Sequence, residues 1–119
     1  LQVTLIEPLL RRSTFLNEVV QSLELDNVTV LRARAEDVTQ TFDVVTARAV
    51  AALPKLSNWC MPLVTPGGSF LALKGKSAAD ELAKSRSTLK RLGATSVEIT
   101  NYGLDGQPEL DVTMVEIQK

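Results

Sequence analysis

The sequence contains no histidine. That removes the side chain most often used as a general base and as a metal ligand. Cys60 is the only cysteine. It excludes an intrachain disulfide and any Cys-rich metal site, so no metal is expected. Such sparse cysteine use points to the cytoplasm. No apolar run approaches the roughly 20 residues of a membrane-spanning helix, and no signal peptide is visible. No membrane role is expected. Neither sign of charge is in excess, since 13 basic and 14 acidic residues leave a net charge of −1. The chain cannot coat a nucleic acid by bulk charge, and any such contact must come from a local patch. The dinucleotide fingerprint G-x-G-x-x-G is also missing, and Pro66-Gly67-Gly68 precedes a strand instead of following one.

What is there describes one α/β domain. The 119 residues, 45% of them apolar, suffice for a real core. The chain opens on Leu1 and directly on an apolar alternation, which reads as a protein without its natural N-terminus. Leu1 to Ile6 alternates as a strand. Pro8 then opens a helix near residues 9–23, with Phe15, Leu16, Val19, Val20 and Leu23 at helical spacing. Asn27 to Ala33 is a second strand and Phe42 to Arg48 a third. Leu53 to Val64 reads as an apolar helix, with Pro62 awkward in its last turn. Thr65 to Gly68 signals a turn. Ser69 to Gly75 is a fourth strand whose continuous apolar run suits burial on both faces. Ala78 to Leu92 is an amphipathic helix, with Gly93 as its C′ residue. Thr95 to Tyr102 and Leu110 to Ile117 are the last two strands, joined by a turn-rich loop. Strands alternating with helices predict a mostly parallel sheet with an antiparallel final pair.

Ligands of open α/β sheets sit beyond the carboxyl ends of the strands. Four stations fall there: Glu7, Ala35-Glu36-Asp37, Arg48, and Lys74-Gly75-Lys76. Their mixed charge suits a zwitterionic ligand. Glu7 fits two roles, a carboxylate accepting both hydroxyls of a ribose, or an acid favoured by the helix dipole behind it. Glu36 and Asp37 can hold an adenine edge together with a backbone amide. They can equally cap a short helical turn, which is the reading the residues alone favour. Arg48 is the sharpest case. Small neighbours surround it in sequence, and its planar guanidinium suits bidentate recognition of carboxylate or phosphate. The competing reading is an arginine snorkelling over apolar surface. Lys74 and Lys76 can meet phosphate, although solvated strand-end lysines are commoner. Lys84, Arg86, Lys90 and Arg91 read as the wet face of a helix, and Trp59, Cys60 and Met61 as core.

The order of these features is specific. An acidic strand tip at Glu7 is followed by RAED (Arg34 to Asp37) and FDVVTARAVAALPKL (Phe42 to Leu56). LVTPGGSFLALKGK (Leu63 to Lys76) and ELAKSRSTLKRLGA (Glu81 to Ala94) come next. The series resembles the C-terminal two-thirds of the bacterial small-subunit (16S) ribosomal RNA guanine-N7 methyltransferases, the glucose-inhibited division protein B family. That resemblance implies a Rossmann-like class I methyltransferase fold and S-adenosyl-L-methionine as cofactor. It implies small-subunit ribosomal RNA, or the ribosomal particle, as substrate. By position it implies that Ala35 and Glu36 contact the adenosine part and Glu7 the ribose. Arg48 would be the positioning arginine of the cofactor and substrate pocket, and Lys74 a site-facing residue of catalysis. Guanine N7 carries a lone pair and no proton, so a site without a histidine base is adequate.

Two departures go with the resemblance. The family's preceding strand and Gly-rich loop are not in this sequence. In that fold this strand lies between the first and third strands found here, so a gap with unpaired edges is expected. Poor cofactor binding and incomplete activity of the 119-residue chain follow. The family also carries an arginine before its last strand, where this sequence reads Gln107-Pro108-Glu109-Leu110-Asp111. Two other readings stand beside the methyltransferase: a nicotinamide-dependent oxidoreductase, whose cofactor ribose Glu7 would serve equally, and a non-catalytic α/β piece of a larger enzyme.

Overall fold

Strands and helices alternate along the computed structural model, which describes residues 1–48 and 51–119. The described chain separates into two compact units, Leu1–Val38 and Thr39–Lys119.

The first unit is a strand, a helix and a strand: β1 (Val3–Ile6), α1 (Leu10–Ser22) and β2 (Val28–Leu31). A helical crossover returns the chain in the same direction, so the strands pair in parallel. The register runs from Val3↔Val28 to Ile6↔Leu31, which brings both carboxyl ends to one edge. Leu16, Val19 and Val20 of α1 are half-buried at helical spacing. Phe15 and Leu23, expected on the same apolar face, are instead 61% and 64% exposed. Two strands of four residues cover only a narrow stripe of a helix.

The second unit holds β3 (Phe42–Ala47), α2 (Leu53–Cys60), β4 (Val64–Lys74), α3 (Ala78–Arg91), β5 (Ser96–Leu104) and β6 (Gln107–Gln118). Its four strands are ordered β3-β4-β6-β5. β3 and β4 are parallel, and β6 runs antiparallel to both β4 and β5. Pro54 lies in the first turn of α2, where its missing N–H costs nothing. The second proline stops the helix. The α-helix expected to reach Val64 ends at Cys60, and Met61–Leu63 tightens into a 3-10 turn. Pro62 has no N–H for the i−4 carbonyl, and its ring would clash there.

The Thr65–Gly68 turn is absorbed into β4. Its signal survives as an irregularity, because the β3–β4 register jumps from Phe42↔Val64 to Val44↔Ser69. α3 ends as expected: Gly93 has φ +94°, its amide donates to Lys90, and the Ala94 amide donates to Leu89. Those two bonds make a Schellman cap. The loop between the last strands is tighter than expected. Leu104 pairs with Gln107, leaving only Asp105 and Gly106 in the turn, with Gly106 at φ +77°. Gly106 supplies the positive φ at the second turn position, where a side chain would be strained.

The core of this unit lies between its sheet and its two helices. Leu53, Leu56, Met61, Leu89, Phe70, Ala72, Val115 and Ile117 are all at most 1% exposed. Side chains alternate along a strand. Phe70 and Ala72 therefore share the helix-covered face of β4, and Lys74 joins them, while Leu71 and Leu73 on the opposite face are only half-buried. Burial on both faces was expected for this strand; among the described residues one face is fully covered. No ladder joins β1–β2 to the four-stranded sheet among the described residues.

Candidate functional site

In the first unit, the parallel register sets the candidate residues at one edge. Glu7 follows the last residue of β1, and its amide continues the ladder by donating to Leu31 at 3.0 Å. Glu7 Oε1 accepts from the Leu9 amide at 3.1 Å, just before α1. The helix-start role is thus realised with one oxygen, and a carboxylate has two. Past the end of β2, Ala35–Asp37 forms a 3-10 turn with Arg34 as its unbonded cap. The Asp37 and Val38 amides donate to Arg34 and Ala35. Ala35 and Glu36 stand at the start of that turn, where amides lack intrahelical acceptors. Ala35 is half-buried and Glu36 exposed.

In the second unit, Arg48 is the first residue after β3 and is exposed. Ala47 pairs with Ala72, so Arg48 and Lys74 leave their parallel strands at the same edge. Lys74 departs from the solvated strand-end lysine that its position suggested. Its side chain is 4% exposed and its ammonium lies 3.0 Å from Glu81 Oε1. It also donates to the Ala51 carbonyl at 2.8 Å. The cause is the strand alternation, which carries Lys74 onto the face beneath α3. An ammonium has three donors, and this pair of contacts uses two. Lys76 is exposed.

Glu81 is the residue that sequence reasoning missed. Its Oε1 also accepts from the Leu53 amide at 2.9 Å, and its Oε2 accepts from the Ser77 hydroxyl at 2.7 Å. Burial alone would raise its pKa. The hydrogen bonds from Ser77, Lys74 and Leu53, with the lysine charge, outweigh that and hold the carboxyl below its ordinary value. A signal was present. An acid in the first turn, beside Leu82 of the apolar stripe, comes seven residues after a lysine of buried parity.

The residues read as core divide. Cys60 and Met61 are buried. Trp59 is half-buried with the Lys55 ammonium 5.2 Å from its ring centroid. Lys84, Arg86, Lys90 and Arg91 are exposed, and Arg91 donates to Asn58 Oδ1 at 2.9 Å. No group of three or more His, Cys, Asp or Glu among the described residues is arranged to hold a metal ion. No helix among them is long and apolar enough to cross a membrane.

Residues 1–110 match the family described as GidB, rRNA small subunit methyltransferase G. The chain belongs to this family. Among curated relatives, it is 48% identical to the ribosomal RNA small subunit methyltransferase G of Salinispora arenicola, over all of this chain and 52% of that protein. It is 50% identical to that of Thermobifida fusca, over 98% of this chain and 50% of that protein. The chain thus spans about half the length of the curated relatives it matches. The fold is that of class I methyltransferases. A methyltransferase from Pyrococcus furiosus superposes with a TM-score of 0.72 at 16% identity, over 99% of this chain and 62% of that one. M. jannaschii TYW2 in complex with AdoMet gives 0.71 at 16% identity, over 98% of this chain and 56% of that one. Membership of this methyltransferase family does not favour the oxidoreductase reading.

Proposed function

We propose that the protein of which this chain is part transfers a methyl group from S-adenosyl-L-methionine to guanine N7 of small-subunit ribosomal RNA, in the cytoplasm. The observation that carries the reading is the family match over residues 1–110. The strand-end geometry supports it. The two units are read as parts of one methyltransferase domain, residues 1–119.

The residues at the strand ends fit the cofactor. Glu7 keeps an oxygen for ribose hydroxyls, and the amides at the start of the Ala35–Asp37 turn suit the edge of an adenine. Glu36 is exposed beside them. When bound, the cofactor supplies an electrophilic methyl on a sulfonium. The nucleophile is the N7 lone pair, and no proton has to leave. This chain's residues therefore bind and orient instead of abstracting a proton, and positioning is a large source of rate. Arg48 offers a bidentate cation to a guanine nucleotide, its phosphate or a carboxylate. Lys74 lies buried at the same edge, held by Glu81 and the Ala51 carbonyl. With a net charge of −1, the chain alone suits an assembled particle better than naked RNA.

The test incubates the full-length protein with labelled S-adenosyl-L-methionine and unmodified small ribosomal subunits. Digestion of the RNA should release labelled N7-methylguanine. Label at another atom, or on protein alone, would refute the reading.

A further inference from the structure

Three elements of the second unit converge on one ion pair. Lys74 closes β4, Glu81 sits in the first turn of α3, and α2 begins beside both. Lys74 Nζ holds the Ala51 carbonyl at 2.8 Å, and Glu81 Oε1 holds the Leu53 amide at 2.9 Å. α2 depends on such outside help. Its N-cap residue is Ala52, which makes no side-chain cap. Pro54 has no N–H to satisfy. Glu81 therefore caps α2 from a different helix, with a charge the helix dipole favours.

Ala47 is held to Ala72 by the parallel ladder. Arg48 follows Ala47 directly, and the downstream anchors begin at Ala51. We propose that Lys74 and Glu81 form a positioning couple that holds Arg48 in place for methyl transfer, by pinning the backbone of Ala51 and Leu53. This rests on the reading of Arg48 as the pocket arginine. In this role neither residue touches substrate or cofactor; each acts through Arg48. The pair is well placed for it, with Lys74 4% and Glu81 18% exposed. Ser77 fixes the second carboxylate oxygen, so the couple has little freedom to swing away.

The competing account is a cap that stabilises α2 and leaves Arg48 untouched. A double-mutant cycle in the full-length protein separates the two. Arg48→Ala, Glu81→Ala, Lys74→Met and each pairing with Arg48→Ala are assayed for kcat and KM on small ribosomal subunits. Amide hydrogen exchange is followed at Leu53 and in the β4–β6 ladder. Glu81→Ala and Lys74→Met should each lower kcat by about ten- to a hundredfold, the scale of a misplaced group. The KM for S-adenosyl-L-methionine should change little. Exchange at Leu53 should quicken while the β4–β6 ladder stays protected. Added to Arg48→Ala, either substitution should cost less than about twofold more, since its route is already cut. Full additivity, or unchanged exchange at Leu53, overturns the proposal. If Arg48→Ala alone leaves kcat intact, the pocket reading of Arg48 fails and takes the proposal with it. Additive losses on an impaired Arg48→Ala background sink the proposal only. If Glu81→Ala does not fold, Lys74→Met, which leaves Glu81 in place and frees the Ala51 carbonyl, carries the same cycle through kcat and its pairing with Arg48→Ala.

Discussion

Arg48 is a permanent cation at the first position beyond a parallel strand, exposed and flanked by Ala47. Its presence was legible from the sequence, because an arginine interrupts the apolar run of β3. In the full-length protein, Arg48→Ala should lower methylation about a hundredfold or more with no change in melting temperature. Arg48→Lys should recover only part, since an ammonium cannot reproduce a planar fork. Undiminished turnover by Arg48→Ala would remove the residue from the mechanism. Cys60 gives the opposite kind of prediction. Burial pushes its thiol pKa up to about 11. It should resist alkylation near pH 8 in the folded protein and react on addition of denaturant. Modification at the rate of a free thiol without denaturant would contradict its place in the core.

At the scale of elements, the couple between β4, α2 and α3 should respond to acid. The Glu81 carboxyl titrates below its ordinary 4.5 in the fold. The unfolded chain binds its proton first, so the stabilisation is complete above about pH 4.5 and fades as pH falls through the lower folded value. Exchange at the Leu53 amide, corrected for intrinsic rate, should therefore accelerate below pH 4.5 in the native protein. In Glu81→Gln the acid step should be absent, and an identical step in both proteins would assign it to other groups. The core tells a different story. Phe70 is fully buried between β4 and the two helices. Phe70→Ala should cost about 3–5 kcal/mol in chemical denaturation, by lost transfer energy and a cavity. A cost under about 1 kcal/mol would mean that the site collapses or is not packed this way. The lengths of α1 and α3 and the Gly93 cap were readable because they rest on local chemistry. The early end of α2 was half readable: Pro62 flagged the conflict, but only the 3-10 turn at Met61–Leu63 resolved it.

At the scale of the molecule, the strands fall into separate sheets, β1–β2 and β3–β4–β6–β5, with no ladder between them among the described residues. Val44 on β3 is 57% exposed, as are Leu9 and Phe15 at 52% and 61% in the first unit. Large apolar side chains left in water add nothing to stability and invite association. Calorimetry on the 119-residue chain by itself should give no S-adenosyl-L-methionine binding in the micromolar range. A micromolar dissociation constant would show that the strand-end residues described here suffice.

Much was settled by sequence alone. The absence of histidine and the single cysteine set the chemical repertoire, because a side chain that is absent cannot act. Apolar periodicity set the order of strands and helices, and motif order set the family. Tertiary structure decided the rest. Which face of β4 meets the helices, and hence that Lys74 is buried against Glu81, depends on the packing of α3 over the sheet. Local sequence offers only a hint of that contact, a lysine of buried parity and an acid in the next helix's first turn. The partners lie seven residues apart in different elements, one ending β4 and one beginning α3, and they come together only because the chain folds back over its own strand.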